Sequence, residues 1–184
     1  MSVLAALIGA SCLVASGPAE GPVRAALLAA ALICVQLRLV CNLLDGMVAV
    51  EHGRGGPTGP IWNELPDRIA DPLFLVAAGY GAAGAGVVWG APVGWLAGLL
   101  AVLTAYVREL GRALGCPADF SGPMAKPHRM AVLTAACVIS IAEPLWRWRG
   151  QSLAIALAII TLGSALTVVL RTLRLARRLR ERAA

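Results

Sequence analysis

Residues 42–71 read NLLDGMVAVEHGRGGPTGPIWNELPDRIAD. Acidic and amide side chains recur here at helical spacing inside a chain that is otherwise apolar. Asn42, Asp45, Gly46 and Ala49 fall on one helix face by their i, i+3, i+4 and i+7 spacing. The glycine- and proline-rich stretch 51–60 separates them from a second helix. That helix carries Asn63, Glu64, Asp67 and Asp71 along one stripe. Pro60 and Pro66 lie in or near its first turn, where a missing N–H costs little, and Pro72 is placed to kink it just past Asp71. Two facing helices thus bring oxygen-rich side chains together. Gly46, Ala49 and Gly59 leave room for a bulky ligand or a neighbouring backbone.

The rest of the chain says what surrounds these residues. Of 184 residues, 59% are hydrophobic and 14% are charged, and the mean hydropathy is +0.77. Apolar runs of membrane-spanning length fill most of the chain and leave no sizeable water-soluble domain. The expectation is an all-α, polytopic membrane protein: one domain, 1–184, of six transmembrane helices in a single bundle. The segments fall near Val3–Ser16, Val23–Ala49, Ile61 to the glycines at 79–86, Pro92–Leu114, His128–Trp146 and Ser152–Arg171. The first lacks a basic leader and a cleavage site, so it reads as a short spanning helix, as a late start or a truncation would leave it. Residues 172–184 continue the last helix into water as a basic extension suited to anionic lipid. The five cysteines lie mostly in apolar runs without C-x-x-C spacing and read as small buried hydrophobes.

With the amino terminus inside, the cytoplasmic segments hold eleven basic residues against three on the opposite side. The positive-inside rule then places both termini and the acidic segment on the cytoplasmic face of the inner membrane. The net charge of +6 suits anionic lipid. No aromatic-basic platform for nucleic acid is present.

Charge near a lipid core is costly and is usually retained for function. Asp45, Glu64, Asp67 and Asp71, with Asn42 and Asn63, make an oxygen-rich donor set of the kind hard divalent cations prefer. A plainer reading pairs Asp67 with Arg68, or Asp71 with Arg38, inside the bundle. Pairing alone explains one acid more easily than several on two adjacent helices, because each unpaired buried carboxylate is expensive.

The segment resembles the CDP-alcohol phosphotransferase signature, D-x-x-D-G-x-x-A-R-x8-G-x-x-x-D-x-x-x-D. Laid on without a gap, Asn42 takes the first aspartate, Asp45 the second, Asn63 the third and Asp67 the fourth. Gly46, Ala49 and Gly59 match the small positions, which the resemblance implies contact CDP, and Val50 replaces the arginine. A second register, one turn deeper, uses Asp67 and Asp71 as the D-x-x-x-D pair, with Glu64 adding a carboxylate. The resemblance implies two Mg2+ or Mn2+ ions held by Asp45, Asp67, Asp71, Asn42, Asn63 and Glu64. It implies a CDP-linked lipid donor, an alcohol acceptor and release of CMP. Asp67 or Asp71 would take the proton from the acceptor hydroxyl. A homodimer is also implied.

A second cluster lies in YVRELGRALGCPADFSGPMAKPHRM, residues 106–130. Arg108 and Arg112 stand one turn apart, and Lys126, His128 and Arg129 open the next helix on the same side. Clustered cations beside a metal site suit a phosphate, so Arg108, Arg112, Lys126 and Arg129 are expected to bind an anionic acceptor such as glycerol 3-phosphate or inositol phosphate. Two other classes stand beside this reading. One is a cation- or proton-coupled small-solute transporter, which expects repeats and broken helices in both halves. The other is a catalytically silent membrane scaffold.

Overall fold

A computed structural model describes residues 2–51 and 58–183, with the backbone alone for the helical residues 45–51, 59, 60, 63 and 183. The described chain is all-helical, with no strand. Its helices are α1 (Ser2–Ser16), α2 (Gly21–Glu51), α3 (Gly59–Gly84), α4 (Gly90–Ala113), α5 (Lys126–Ala142) and α6 (Gln151–Ala183). Every expected segment is a helix. Among the described residues, four stretches are long and apolar enough to cross a membrane: Gly21–Leu44, Gly90–Ala113, Lys126–Trp146 and Gln151–Arg182. This makes the chain an integral membrane protein. The expectation of six such spans is met in part. α1 has only 15 residues, and α3 gives its first half to Glu64, Asp67, Arg68 and Asp71.

The helices form a ring in which α1 packs on α2, α2 on α5, α5 on α6, α6 on α4, α4 on α3 and α3 on α1. A contact between α3 and α6 crosses the interior. Small residues and a few large apolar ones fill the core, among them Ala70, Phe74, Ala78, Ala97, Leu133 and Leu157. Leu43, Leu99, Leu162 and other large apolar side chains face outward, as lipid allows and water would not.

Small residues set the closest approaches. A methyl group on Gly79 of α3 would lie 2.6 Å from the Gly90 carbonyl oxygen and 3.0 Å from the Gly94 Cα of α4. The two backbones therefore touch, the small-residue packing that substitutes for hydrophobic drive inside lipid. Gly79→Val is expected to destabilise the bundle by about 1–3 kcal/mol, the usual cost of overpacking. Thermal unfolding in detergent reads this, and an unchanged midpoint would contradict the contact.

α3 runs through Pro66 and Pro72 without a break in its helical assignment. α5 gives way at Glu143–Trp146 to one turn of 3-10 helix containing Pro144. Glu143 is fully buried there. Its carboxylate accepts from Arg24 of α2 (2.8 Å), the Ser140 hydroxyl (2.9 Å), and the Gly150 and Ser152 amides (both 2.7 Å) at the start of α6. One acid thus ties three helices together at the end of the bundle opposite Asp67. These four donors use the buried Glu143 carboxylate fully.

Candidate functional site

At the other end, the C-terminal half of α2 and the first half of α3 meet the end of α4 and the start of α5. Asp67, 5% exposed, accepts from three directions. Arg38 of α2 donates to Oδ1 at 2.7 Å. The Asn42 amide donates to both oxygens, at 2.8 and 2.9 Å. Lys126 at the first turn of α5 donates to Oδ2. The Asn42 orientation follows from the partner: turning the amide would set two oxygens against each other. Asn42 therefore serves here as a donor to Asp67, whereas the sequence reading made it a metal ligand.

Asp71, one turn deeper, is 1% exposed. Arg38 approaches its Oδ1 at 2.5 Å and Arg129 its Oδ2 at 3.3 Å. Arg38 is wholly buried between the two aspartates. The Arg38–Asp71 pairing weighed from sequence is present. The Asp67–Arg68 pairing is not, because Arg68 turns back to Glu64 at i−4. Asp45, Gly46, Ala49, Gly59 and Asn63, assigned to metal or CDP from sequence, have side chains outside the described residues.

A cavity of about 380 Å³ opens beside this network. Its walls include Glu64, Asp67, Arg68, Arg108, Lys126, Arg129 and Arg171. Asp67 faces it; Asp71 is absent from its lining. Arg108 donates to Glu64 at 2.6 Å and stacks 5.0 Å from the Phe120 ring centroid, a cation–π distance. Arg129, 2% exposed, also donates to the Met124 carbonyl (3.0 Å) and the Thr104 hydroxyl (3.2 Å). Three of the four expected acceptor residues therefore line one cavity. Arg112 does not: its side chain is 55% exposed and meets Glu109 at 3.4 Å. Helical spacing put it with Arg108, but the cavity lies on only one side of that stripe.

Arg171 was missed as a cavity residue. It is buried, and it donates to the carbonyls of Ser121 and Thr104, both at 2.8 Å. The available signal was its place as the first arginine after the apolar run of α6. The basic extension acts inward as well. Arg174 reaches Ser121 and Asp119, and Arg182 donates to the Gly115 carbonyl at 2.9 Å, so α6 straps down the loop that carries Phe120.

Partial burial works to raise the Asp119 pKa, but hydrogen bonds from the Ser121 hydroxyl and amide and the charges of Arg174 and Arg171 outweigh it and hold the carboxyl below its ordinary 3.8. A lowered folded pKa gives stability that is present above pH 3.8 and is lost as pH falls through the lower folded value. Protease resistance of loop 114–125 is accordingly expected to be flat from about pH 5 to 8 with respect to this group. Loosening within that window that Asp119→Asn removes would contradict the assignment.

The fit of divalent cations follows from the lone pairs. Among the described residues, no group of three or more carboxylate, histidine or cysteine side chains is placed to hold a metal. Both oxygens of Asp67 already accept from basic or amide donors. The buried atoms left without partners include Arg38 Nε and Nη1 and Arg129 Nε, which seek acceptors; Asp71 Oδ1 is without a hydrogen bond but lies against Arg38. A dication about 4 Å from the Arg38 charge would be repelled by about 8 kcal/mol at an effective dielectric constant of about 20. The described residues do not fit a pair of divalent cations. The basic side chains in the cavity wall, Arg108, Lys126, Arg129 and Arg171, suit an anion there.

No protein-family model matches the chain. Among curated proteins, the chain is similar to one named phosphatidylinositol phosphate synthase from Mycobacteroides abscessus, 30% identical over 118 residues. The match covers 59% of this chain and 49% of the relative, so the chain spans about half the length of the curated relative it matches.

Proposed function

We propose that the chain is a CDP-alcohol phosphotransferase of phospholipid synthesis, moving a phosphatidyl group from CDP-diacylglycerol to an alcohol that itself carries a phosphate. The observation that carries this reading is the cavity in which five basic side chains, Arg68, Arg108, Lys126, Arg129 and Arg171, surround Asp67. Similarity to a phosphatidylinositol phosphate synthase and the signature-like segment support it. The acceptor hydroxyl oxygen attacks the phosphatidyl phosphorus, the bond from phosphorus to the CMP oxygen breaks, and CMP leaves. Asp67 takes the hydroxyl proton.

Lys126, a quarter exposed, covers one oxygen of Asp67. A substrate phosphate would draw Lys126 away and leave that oxygen with the Asn42 amide as its remaining donor. Arg129 and Arg171 are held by neighbouring backbone carbonyls, so they offer a phosphate preset charge, which places the acceptor for in-line attack. Glycerol 3-phosphate and inositol phosphate are the acceptors proposed. All six helices cross the inner membrane in this reading, with the site and both termini cytoplasmic, and the protein works as a homodimer.

The test is an acceptor panel with CDP-diacylglycerol. Lys126→Ala and Arg108→Ala are each expected to raise the KM for the phosphorylated alcohol by about tenfold to a hundredfold, the scale of one hydrogen bond to a charged group. Preference for an uncharged alcohol, or an unchanged KM in both variants, would count against the reading. A silent scaffold that binds CDP-lipid draws on the same pairing of Asp67 and Asp71 with basic side chains, and CMP release separates the two.

A further inference from the structure

The signature that this segment resembles implies two divalent cations, and the described side chains disagree with that number. We infer that the Arg38 guanidinium takes the place of one of them, so that the site holds no more than one divalent cation and Asp71 ligates none. The inference rests on the phosphotransferase reading for where a cation would sit.

Three observations carry it. Arg38 is wholly buried and bridges the two aspartates, at 2.7 Å from Asp67 and 2.5 Å from Asp71. It is no surface side chain free to swing aside, unlike Lys126. Arg129, almost as deeply buried, holds the other oxygen of Asp71. Asp71 is therefore enclosed by two guanidinium groups and lies off the cavity wall.

The sequence changes in the same direction. Asn42 and Asn63 stand where the signature has aspartates, which removes two negative charges. Two fewer negative ligand charges match one fewer dication. Arg38, one turn before Asn42 on α2, supplies a positive charge that is already part of the protein. A fixed guanidinium costs no metal binding and sets one positive charge against both aspartates at once. Arg38 Nε and Nη1 are buried without a partner among the described residues.

Counting Mn2+ tests this. The full-length protein in detergent is titrated with Mn2+ alone, and free Mn2+ is read by electron paramagnetic resonance. The parent is expected to bind no more than one Mn2+ per chain. Arg38→Gln is expected to gain one, because it uncovers carboxylate oxygens, and Arg38→Lys to keep the parent count. Two Mn2+ in the parent would overturn the inference, as would an unchanged count in an Arg38→Gln protein that still elutes as a folded species. If Arg38→Gln does not fold, the parent count still decides. CMP release together with two bound Mn2+ would sink this inference alone. A parent that binds one Mn2+ or none and releases no CMP would sink the phosphotransferase reading alone.

Discussion

Replacing Asp67 with asparagine is expected to lower CMP release by roughly a hundredfold to ten-thousandfold, the range for losing a positioned general base. The fold should survive, because Arg38 keeps Asp71 and Lys126 is close enough to water to be resolvated. The carboxylate faces the cavity, and an amide there offers no comparable base. Asp71→Asn should behave differently. Its side chain lies off the cavity and holds Arg38 and Arg129, so the loss should appear as lower stability and a raised acceptor KM through a loosened Arg129. Single-turnover rates and melting temperatures of both purified variants check this. Near-parental chemistry in Asp67→Asn, or a chemical defect in Asp71→Asn as severe as that of Asp67→Asn at unchanged stability, would contradict the assignment.

The second large effect lies at the opposite end of the bundle. Glu143→Ala is expected to cost about 3–5 kcal/mol, because removing one partner of a buried pair leaves the other charge uncompensated. Arg24 is 6% exposed and would retain only the Ser140 hydroxyl. The Gly150 and Ser152 amides would also lose their acceptor, which frees the start of α6. Arg24→Met with Glu143→Leu should recover much of the loss, since apolar replacement of a whole buried pair is often neutral. Urea or thermal unfolding in detergent reads both proteins. A Glu143→Ala midpoint equal to the parent would contradict the network.

Much of the fold was legible because lipid imposes a simple pattern. The apolar runs, the third of them closed by the glycines at 79–86, marked the helices to within a few residues. Pro144 had been read as lying within the fifth helix, yet it falls in the 3-10 turn after α5, because Glu143 is drawn to four donors that no local pattern reveals. At the site, Lys126 and Arg129 open a helix on the same side as the acids and meet Asp67 and Asp71 respectively. Spacing within α3 also allowed the Glu64–Arg68 pair, an i, i+4 acid before a base. What spacing alone could not settle was which cation from another helix reaches which acid. Arg38 was weighed as a partner for Asp71, but its bridge to Asp67 depends on how α2 is rotated against α3. Arg171 lies 104 residues from Asp67 in sequence and reaches the same cavity only because the ring closes α6 against α4.

The decisive measurement is CMP release from CDP-diacylglycerol by the purified protein in lipid nanodiscs. Glycerol 3-phosphate, inositol phosphate and the corresponding uncharged alcohols are supplied in turn. CMP is expected in step with a new anionic lipid, with a phosphorylated acceptor required and Asp67→Asn inactive. A folded protein that binds CDP-diacylglycerol yet releases no CMP with any acceptor would contradict the phosphotransferase reading.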